Sequence, residues 1–475
     1  MNLVEFIFGE SKASASDSKT AICFDREEIS YERLYGLVRR AAGLFRSVGI
    51  ESGQRLAIIA ADGPHFVVAF LGSIAVGAVA VPLNTMLPVD VLRSILDNCG
   101  PRGLVADQEQ FQRLDKSGAI PGTLRNVWIT RPAPDELKHR DYDGYQLKVE
   151  SFGSSVELAP ESNIVPAADD SLAFILYTSG SSGAPKGVMH LHRGIPFMVN
   201  AACRQVLGIV APDRLFSSSR MFFAYGLGNG LYFPLSIGAT SILSDSKPTP
   251  AAIAEVFARY RPTVFFGVPA VYKSLCQFAS AGNQIDTRSL RFCVSAGERL
   301  PESLYAEWKR LTGLDIIDHI GATEMLQMFI SNRPNCIKPG SAGTPVPGCE
   351  VKLVDESGKE IIGPGLGEIA ARSGSAFSGY FNDPEQTARA IRDGWVYTRD
   401  MFRRDAEGCY WFEGRADDLF KVKGQWVSPV EVEDALLDCP EVHEAAVIAA
   451  VDEAGLGRAM AWIVPSAGND PGPAL

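Results

Sequence analysis

The chain has 475 residues, 46% of them hydrophobic and 21% charged, an ordinary globular composition that excludes a disordered or fibrous class. This length exceeds what one hydrophobic core fills, so at least two domains are expected, one of them large. A formal charge of -11 leaves no broad basic surface for a nucleic-acid backbone, whereas a small anionic ligand needs only local donors and remains compatible with an acidic chain.

The first residues, MNLVEFIFGESK, carry Glu5 inside the apolar stretch and no basic lead-in, so they do not read as a secretory signal. Residues 30–48 open with Ser30 and set Leu34, Leu37, Val38, Ala41, Ala42 and Phe45 on one helical face. RLAIIAA at 55–61 then reads as a parallel strand buried on both sides. From Gly63 to Val89 there is no Asp, Glu, Lys or Arg, a length that would suit a membrane span. Four Gly and Pro interruptions (Gly72, Gly77, Pro82, Pro88) favour instead a buried helix near Phe66–Val76 and a short strand at Ala78–Pro82. No membrane span is expected.

After the apolar strand LAFIL, residues 177–187 read Tyr-Thr-Ser-Gly-Ser-Ser-Gly-Ala-Pro-Lys-Gly. A loop with this many glycines and hydroxyls can turn its backbone N–H groups toward an anion, and Lys186 adds charge, so a polyphosphate is the expected ligand. It is not the Walker loop of P-loop kinases, because Pro185 precedes the lysine and Gly187 follows it. Helix and strand then alternate, AAIAEVFARY before TVFFGV and SLYAEWKRL before DIIDHIG, which predicts an α/β fold with mainly parallel sheets.

From about Lys338 the texture becomes short strands between Gly/Pro turns, EVKLVDESGKE, GEIAARSG and WVYTRDMFRRDAEGCYWFEG, a hairpin pattern. Beyond Gly414 come the charged GRADDLFKVKG, an amphipathic helix SPVEVEDALLDC and an apolar strand EAAVIAAV. The boundary is placed at Arg415–Asp418, giving a large domain over 1–416 and a small α+β domain over 417–475. No internal repeat is visible. The nine cysteines are scattered without a C-x-x-C pair or zinc-site spacing, and are read as reduced core thiols of a cytoplasmic protein.

These motifs together resemble the superfamily of acyl-CoA synthetases, firefly luciferase and nonribosomal peptide adenylation domains, over nearly the whole chain. Tyr177–Gly187 is similar to its phosphate loop, Gly321-Ala322-Thr323-Glu324 to its second core motif, Tyr397-Thr398-Arg399-Asp400 to its ribose motif, and Gly414-Arg415-Ala416-Asp417-Asp418 to its interdomain hinge. The resemblance implies ATP, Mg2+ and CoA as cosubstrates and cofactor. Thr178, Ser179, Gly180, Ser181, Ser182, Gly183 and Lys186 would hold the phosphates, with Glu324 and Thr178 toward the metal. Asp400 and Arg415 would take the ribose. Gly297, Glu298, Arg299, Asp318, His319, Ile320, Gly321 and Thr323 would surround the adenosine.

Met221–Gly228 and His319–Leu326 resemble the benzoate:CoA ligase branch, which implies an aromatic acid in a pocket of Phe223, Ala224, Tyr225, Gly321 and Gln327. Gln327 departs from the His expected there; an amide that both donates and accepts could face a hydroxyl or amino substituent on the ring. Lys421–Pro429 resembles the thioester-forming face, with Gly424 beside CoA and Asp417 as the hinge. The resemblance leaves two alternatives open: loading of an aryl group on a carrier protein, or a catalytically weak adenylate-binding protein. It also implies a lysine near the end of the small domain. None follows Lys423, so the small domain is expected to continue past Leu475, and this form to adenylate slowly while still converting aryl-AMP and CoA to the thioester.

Overall fold

The computed structural model describes all residues except 15–17, 133–139, 143–144, 180–184, 417–419, 423–424, 438, 440, 452–456 and 466–475. Of residues 10–14, 140–142, 145, 179, 421, 425–426, 430–431, 434, 451 and 457 it describes the backbone alone.

Two large sheets form the core. In one, the strands Leu172–Ser179, Val79–Pro82, Arg55–Ile59, Gly103–Ala106, Asn126–Ile129 and Tyr145–Ser151 lie side by side in that order, all parallel. In the other, Thr20–Phe24, Thr240–Ile242, Arg214–Ser217, Val264–Gly267, Phe292–Ser295 and Ile316–Gly321 do the same. The two orders match strand for strand, except that the first-named place is filled by the last strand of its set in one sheet and by the N-terminal strand in the other. An antiparallel strand flanks each end: Pro185–Leu191 and Arg140–Tyr142 in the first, Glu27–Ser30 and Met328–Ser331 in the second. No sequence repeat accompanies this match, because the parallel strands ask only for short apolar runs buried on both faces.

The helices between strands form as their sequences require. Ser30 caps the helix Tyr31–Ser47 by accepting from the Arg33 N–H. That helix buries Leu34, Val38, Ala41, Ala42 and Phe45 against the helix Pro64–Ala75, where a Cβ on Gly72 would stand 2.6 Å from the Ala41 Cβ. The uncharged run 63–89 is thus a core helix and a strand, Val79–Pro82. Among the described residues no helix is long and apolar enough to cross a membrane.

Residues 350–415 make the β-rich region read as hairpins. Glu350–Val354, Gly365–Arg372, Trp395–Arg404 and Tyr410–Arg415 pair antiparallel in succession. Beyond it lie a two-stranded ribbon, the helix Pro429–Leu437 and the hairpin Val442–Val451 with Gly457–Pro465. The architecture is the expected one: a large α/β part of two parallel sheets, a β-rich subdomain and a small α+β part. All nine cysteines are free thiols. The reading of them as core residues needs correction for three, since Cys336 and Cys439 are exposed and Cys409 is half-buried.

Candidate active site

Parallel sheets gather ligands at the carboxyl ends of their strands, where chain reversals leave a crevice. A cleft of about 1390 Å³ opens at that edge of the second sheet. Gly297, Glu298 and Arg299 line it just past the strand Phe292–Ser295, and Asp318, His319, Ile320 and Gly321 line it from the end of Ile316–Gly321. Gly297 turns the chain there at φ 93°, a conformation that favours glycine.

Burial dominates the electrostatics of this wall. It pushes the Asp318 carboxyl up to about 8, against donation from the backbone N–H groups of Leu300 and His319. It pushes the His319 ring down to about 3, so His319 is neutral; neither ring nitrogen has a hydrogen-bond partner among the described residues. Arg299 lies half-buried, with its Nε donating to the Gly340 carbonyl at 3.4 Å.

The glycine- and serine-rich segment connects two paired antiparallel strands. The strand after LAFIL runs on to Ser179, and the next begins at Pro185, so Thr178 and Lys186 are direct cross-strand partners. Residues on opposed positions of a ladder share one face, and both of these line the cleft. The expected phosphate-loop residues Gly180, Ser181, Ser182 and Gly183 lie outside the described residues, as does the Ser179 side chain. Lys186 Nζ donates to Gln386 Oε1 at 3.3 Å and stands 5.4 Å from the Tyr380 ring centre. Glu324 follows Thr323 in a short helical turn at the cleft wall, and the Tyr380 hydroxyl donates to its Oε1 at 2.7 Å.

Asp400 and Arg415 face each other across the strands Trp395–Arg404 and Tyr410–Arg415. Arg415 Nη1 donates to Asp400 Oδ1 at 2.9 Å, and both line the cleft. Burial raises the Asp400 carboxyl above its ordinary range, while Arg415 pulls the other way. From the small part, Glu433 and Leu437 on the helix Pro429–Leu437 reach the same cleft.

Of the residues expected at an acyl pocket, Gly321 lines the cleft and Tyr225 packs against its wall, whereas Phe223, Ala224 and Gln327 are not among the lining residues. Tyr225 packs edge-on against His319, ring centres 5.4 Å apart, and donates to the carbonyls of Gly267 and Val294. Ala224 is half-buried, and Phe223, against Phe222, is 43% exposed. Gln327 is buried, with Oε1 accepting from the Met328 N–H and Nε2 donating to Asn229 Oδ1. Its side chain is held by protein on both ends. Asp417 and Gly424 lie outside the described residues.

Sequence reading did not single out Tyr380, Gln386, Arg389, Arg392 or Phe412, all of which line the cleft. The available signal was Gly-Tyr-Phe-Asn-Asp-Pro at 379–384, a glycine followed four residues later by an Asp-Pro pair of the kind that starts a helix. Asp383 does cap the helix Pro384–Ala390. No group of three or more His, Cys, Asp or Glu forms a protein cage among the described residues, but a hard divalent cation that shares its shell with substrate phosphates needs only one or two carboxylates, and Glu324 fits that provision.

Two parallel sheets thus frame one cleft lined by a lysine, a glutamate and an Asp400–Arg415 ion pair, a donor and acceptor set compatible with a nucleotide. Residues 9–381 match the model of the AMP-binding enzyme family. The chain belongs to this family. It is 37% identical over 98% of its length to a 3-hydroxybenzoate–CoA ligase of Aromatoleum sp. (strain CIB), 87% of which is covered. It is 36% identical over 100% of its length to a benzoate–CoA ligase of Thauera aromatica, 88% of which is covered. Among solved structures, the anthranilate CoA ligase AuaEII in complex with anthranoyl-AMP superposes with a TM-score of 0.91 at 33% identity, covering 100% of this chain and 88% of that one.

Proposed function

We propose that this protein is an AMP-forming aryl acid:CoA ligase that converts benzoate, or an amino- or hydroxybenzoate, to its CoA thioester. The observation that carries this reading is the single cleft that brings Thr178, Lys186, Glu324, Asp400 and Arg415 to the carboxyl ends of the parallel strands. The relatives named above act on aromatic acids, which supports an aromatic substrate.

In the first half-reaction a carboxylate oxygen attacks the α-phosphorus of ATP, and pyrophosphate leaves with the electron pair of the broken P–O bond. Thr178 and Lys186 hold the phosphates, together with Ser179, Gly180, Ser181, Ser182 and Gly183, while Asp400 accepts from the ribose hydroxyls and Arg415 donates to the same sugar. The adenine lies along Gly297–Arg299 and Asp318–Ile320, near Gly321 and Thr323. Glu324, with Thr178, would hold Mg2+, which when bound would neutralise phosphate charge. In the second half-reaction the CoA thiol attacks the acyl carbonyl, losing its proton, and AMP leaves. No protein nucleophile is needed; positioning and charge stabilisation suffice.

The ring is assigned to the region of Phe223, Ala224, Tyr225, Gly321 and Gln327. The neutral His319 edge joins this region to the cleft through its contact with Tyr225. The domain boundary is placed between residues 416 and 417, with Asp417 as hinge and Gly424 beside the pantetheine. Nine free thiols agree with a reducing compartment, and the cytoplasm is the proposed location. The test is to supply ATP, Mg2+ and an aryl acid with either free CoA or a phosphopantetheinylated carrier protein. Thioester on CoA is expected; thioester on the carrier alone would replace this reading with a loading enzyme.

A further inference from the structure

We propose that Tyr380 is a positioning residue that holds the Glu324 carboxylate and the Lys186 ammonium apart, each aimed at the polyphosphate end of the cleft. The inference rests on the assignment of Glu324 to the metal and deepens it. A carboxylate and an ammonium facing one cleft attract each other, and direct pairing would withdraw both from metal and phosphate. The structure shows the two groups partnered otherwise. The Tyr380 hydroxyl donates to Glu324 Oε1 at 2.7 Å, and Lys186 Nζ rests 5.4 Å from the centre of the same ring, bonded to Gln386. One side chain thus satisfies the acid through its hydroxyl and the base through its ring face.

Tyr380 is itself fixed from both sides. Its backbone N–H donates to Thr387 Oγ1 at 2.8 Å, and its ring meets Phe377 edge-on at 5.0 Å. The segment around it is strapped to the Lys186 strand by Phe381 N–H to the Gly187 carbonyl, at 2.7 Å, and to the Glu324 turn by Phe377 N–H to the Glu324 carbonyl, at 2.8 Å. The short span 377–381 therefore ties the strand carrying the base to the turn carrying the acid.

The experiment measures Mn2+ affinity and metal-free nucleotide affinity separately, by calorimetry and by electron paramagnetic resonance of bound Mn2+, with a non-hydrolysable ATP analogue. Tyr380→Phe, which keeps the ring, is expected to weaken Mn2+ binding in the nucleotide complex by about tenfold, the scale of losing a partner that orients a metal ligand, and to weaken metal-free nucleotide binding by less. Tyr380→Leu, which removes the ring as well, is expected to weaken both. In a Glu324→Gln background Tyr380→Phe should have no further effect, because the two changes act through one interaction. Unchanged Mn2+ affinity in Tyr380→Phe, or an equal further loss in the Glu324→Gln background, overturns the proposal while leaving the metal site standing. Absence of nucleotide-dependent Mn2+ binding in the unaltered protein overturns the metal assignment and the role of Tyr380 together.

Discussion

Glu324 is where the chemistry of single residues is most exposed to test. Glu324→Gln keeps the shape and removes the charge, so aryl-acid-dependent pyrophosphate release at limiting Mg2+ should fall by roughly 10²-fold, a usual loss for one electrostatic element at a transition state. A near-normal rate would remove Glu324 from the metal. A second prediction concerns Asp62, which is buried, accepts from the Met221 N–H at 3.0 Å, and lies 4.0 Å from Arg220. Burial raises its carboxyl from 3.8 to about 7, with Arg220 opposing. The folded state therefore holds the proton more tightly than the unfolded one, and the stability this contributes at low pH is lost as pH rises from about 4 to about 7. Asp62→Asn should flatten part of the fall in Tm across that window; parallel curves for the two proteins would contradict it. Thr178 and Lys186 could be picked as candidates because they flank a loop of unusual composition, and Glu324 and Asp400 because their motifs resemble those of a known family. Tyr380 offered only the segment at 379–384 as a signal, and its contacts with Lys186 and Glu324 arise where a distant part of the chain crosses both. The fate of Gln327, whose amide is held between Met328 and Asn229, could not be found there; sequence gives the residue type at a pocket and not its partners.

Helices and parallel strands were the most legible elements, because apolar runs and a helical period are demanded by burial on two faces or on one. The strand pair carrying Thr178 and Lys186 was less so: the ladder from Leu172↔Leu191 to Ser179↔Pro185 is set by pairing, and composition alone marked only the segment between. Its contact with residues 377–381 depends on Gly187, where an added Cβ would lie 3.0 Å from Ile175 Cγ2 and 3.2 Å from Phe381 Cβ. Gly187→Val is accordingly expected to cost about 1–3 kcal/mol of stability, the usual range for overpacking, and to weaken nucleotide binding by displacing the strap over Lys186. Chemical denaturation alongside nucleotide titration checks this. An unaltered midpoint and affinity would mean the strand pair and the strap are not coupled at Gly187.

On the scale of the whole molecule, the two parallel sheets repeat one strand order with no repeat in the sequence, since topology is carried by backbone connections and any apolar run of the right length can fill a buried strand. The small α+β part meets the cleft through Glu433 and Leu437, and Lys273 of the large part donates to the His443 carbonyl at 3.1 Å. If residue 417 is the hinge, Asp417→Pro fixes φ at one point of the connection and should impair one half-reaction far more than the other. Equal losses in pyrophosphate release and in thioester formation from prepared aryl-AMP would argue against it. The most direct measurement supplies the protein with ATP, Mg2+, CoA and, one at a time, benzoate and its 2-, 3- and 4-amino and hydroxy derivatives, and identifies products by mass spectrometry. Equal amounts of aryl-CoA and AMP from at least one of these acids, absent when the acid is omitted, are expected; release of ADP and phosphate instead, or no product that depends on any aryl acid, would contradict an AMP-forming aryl-CoA ligase.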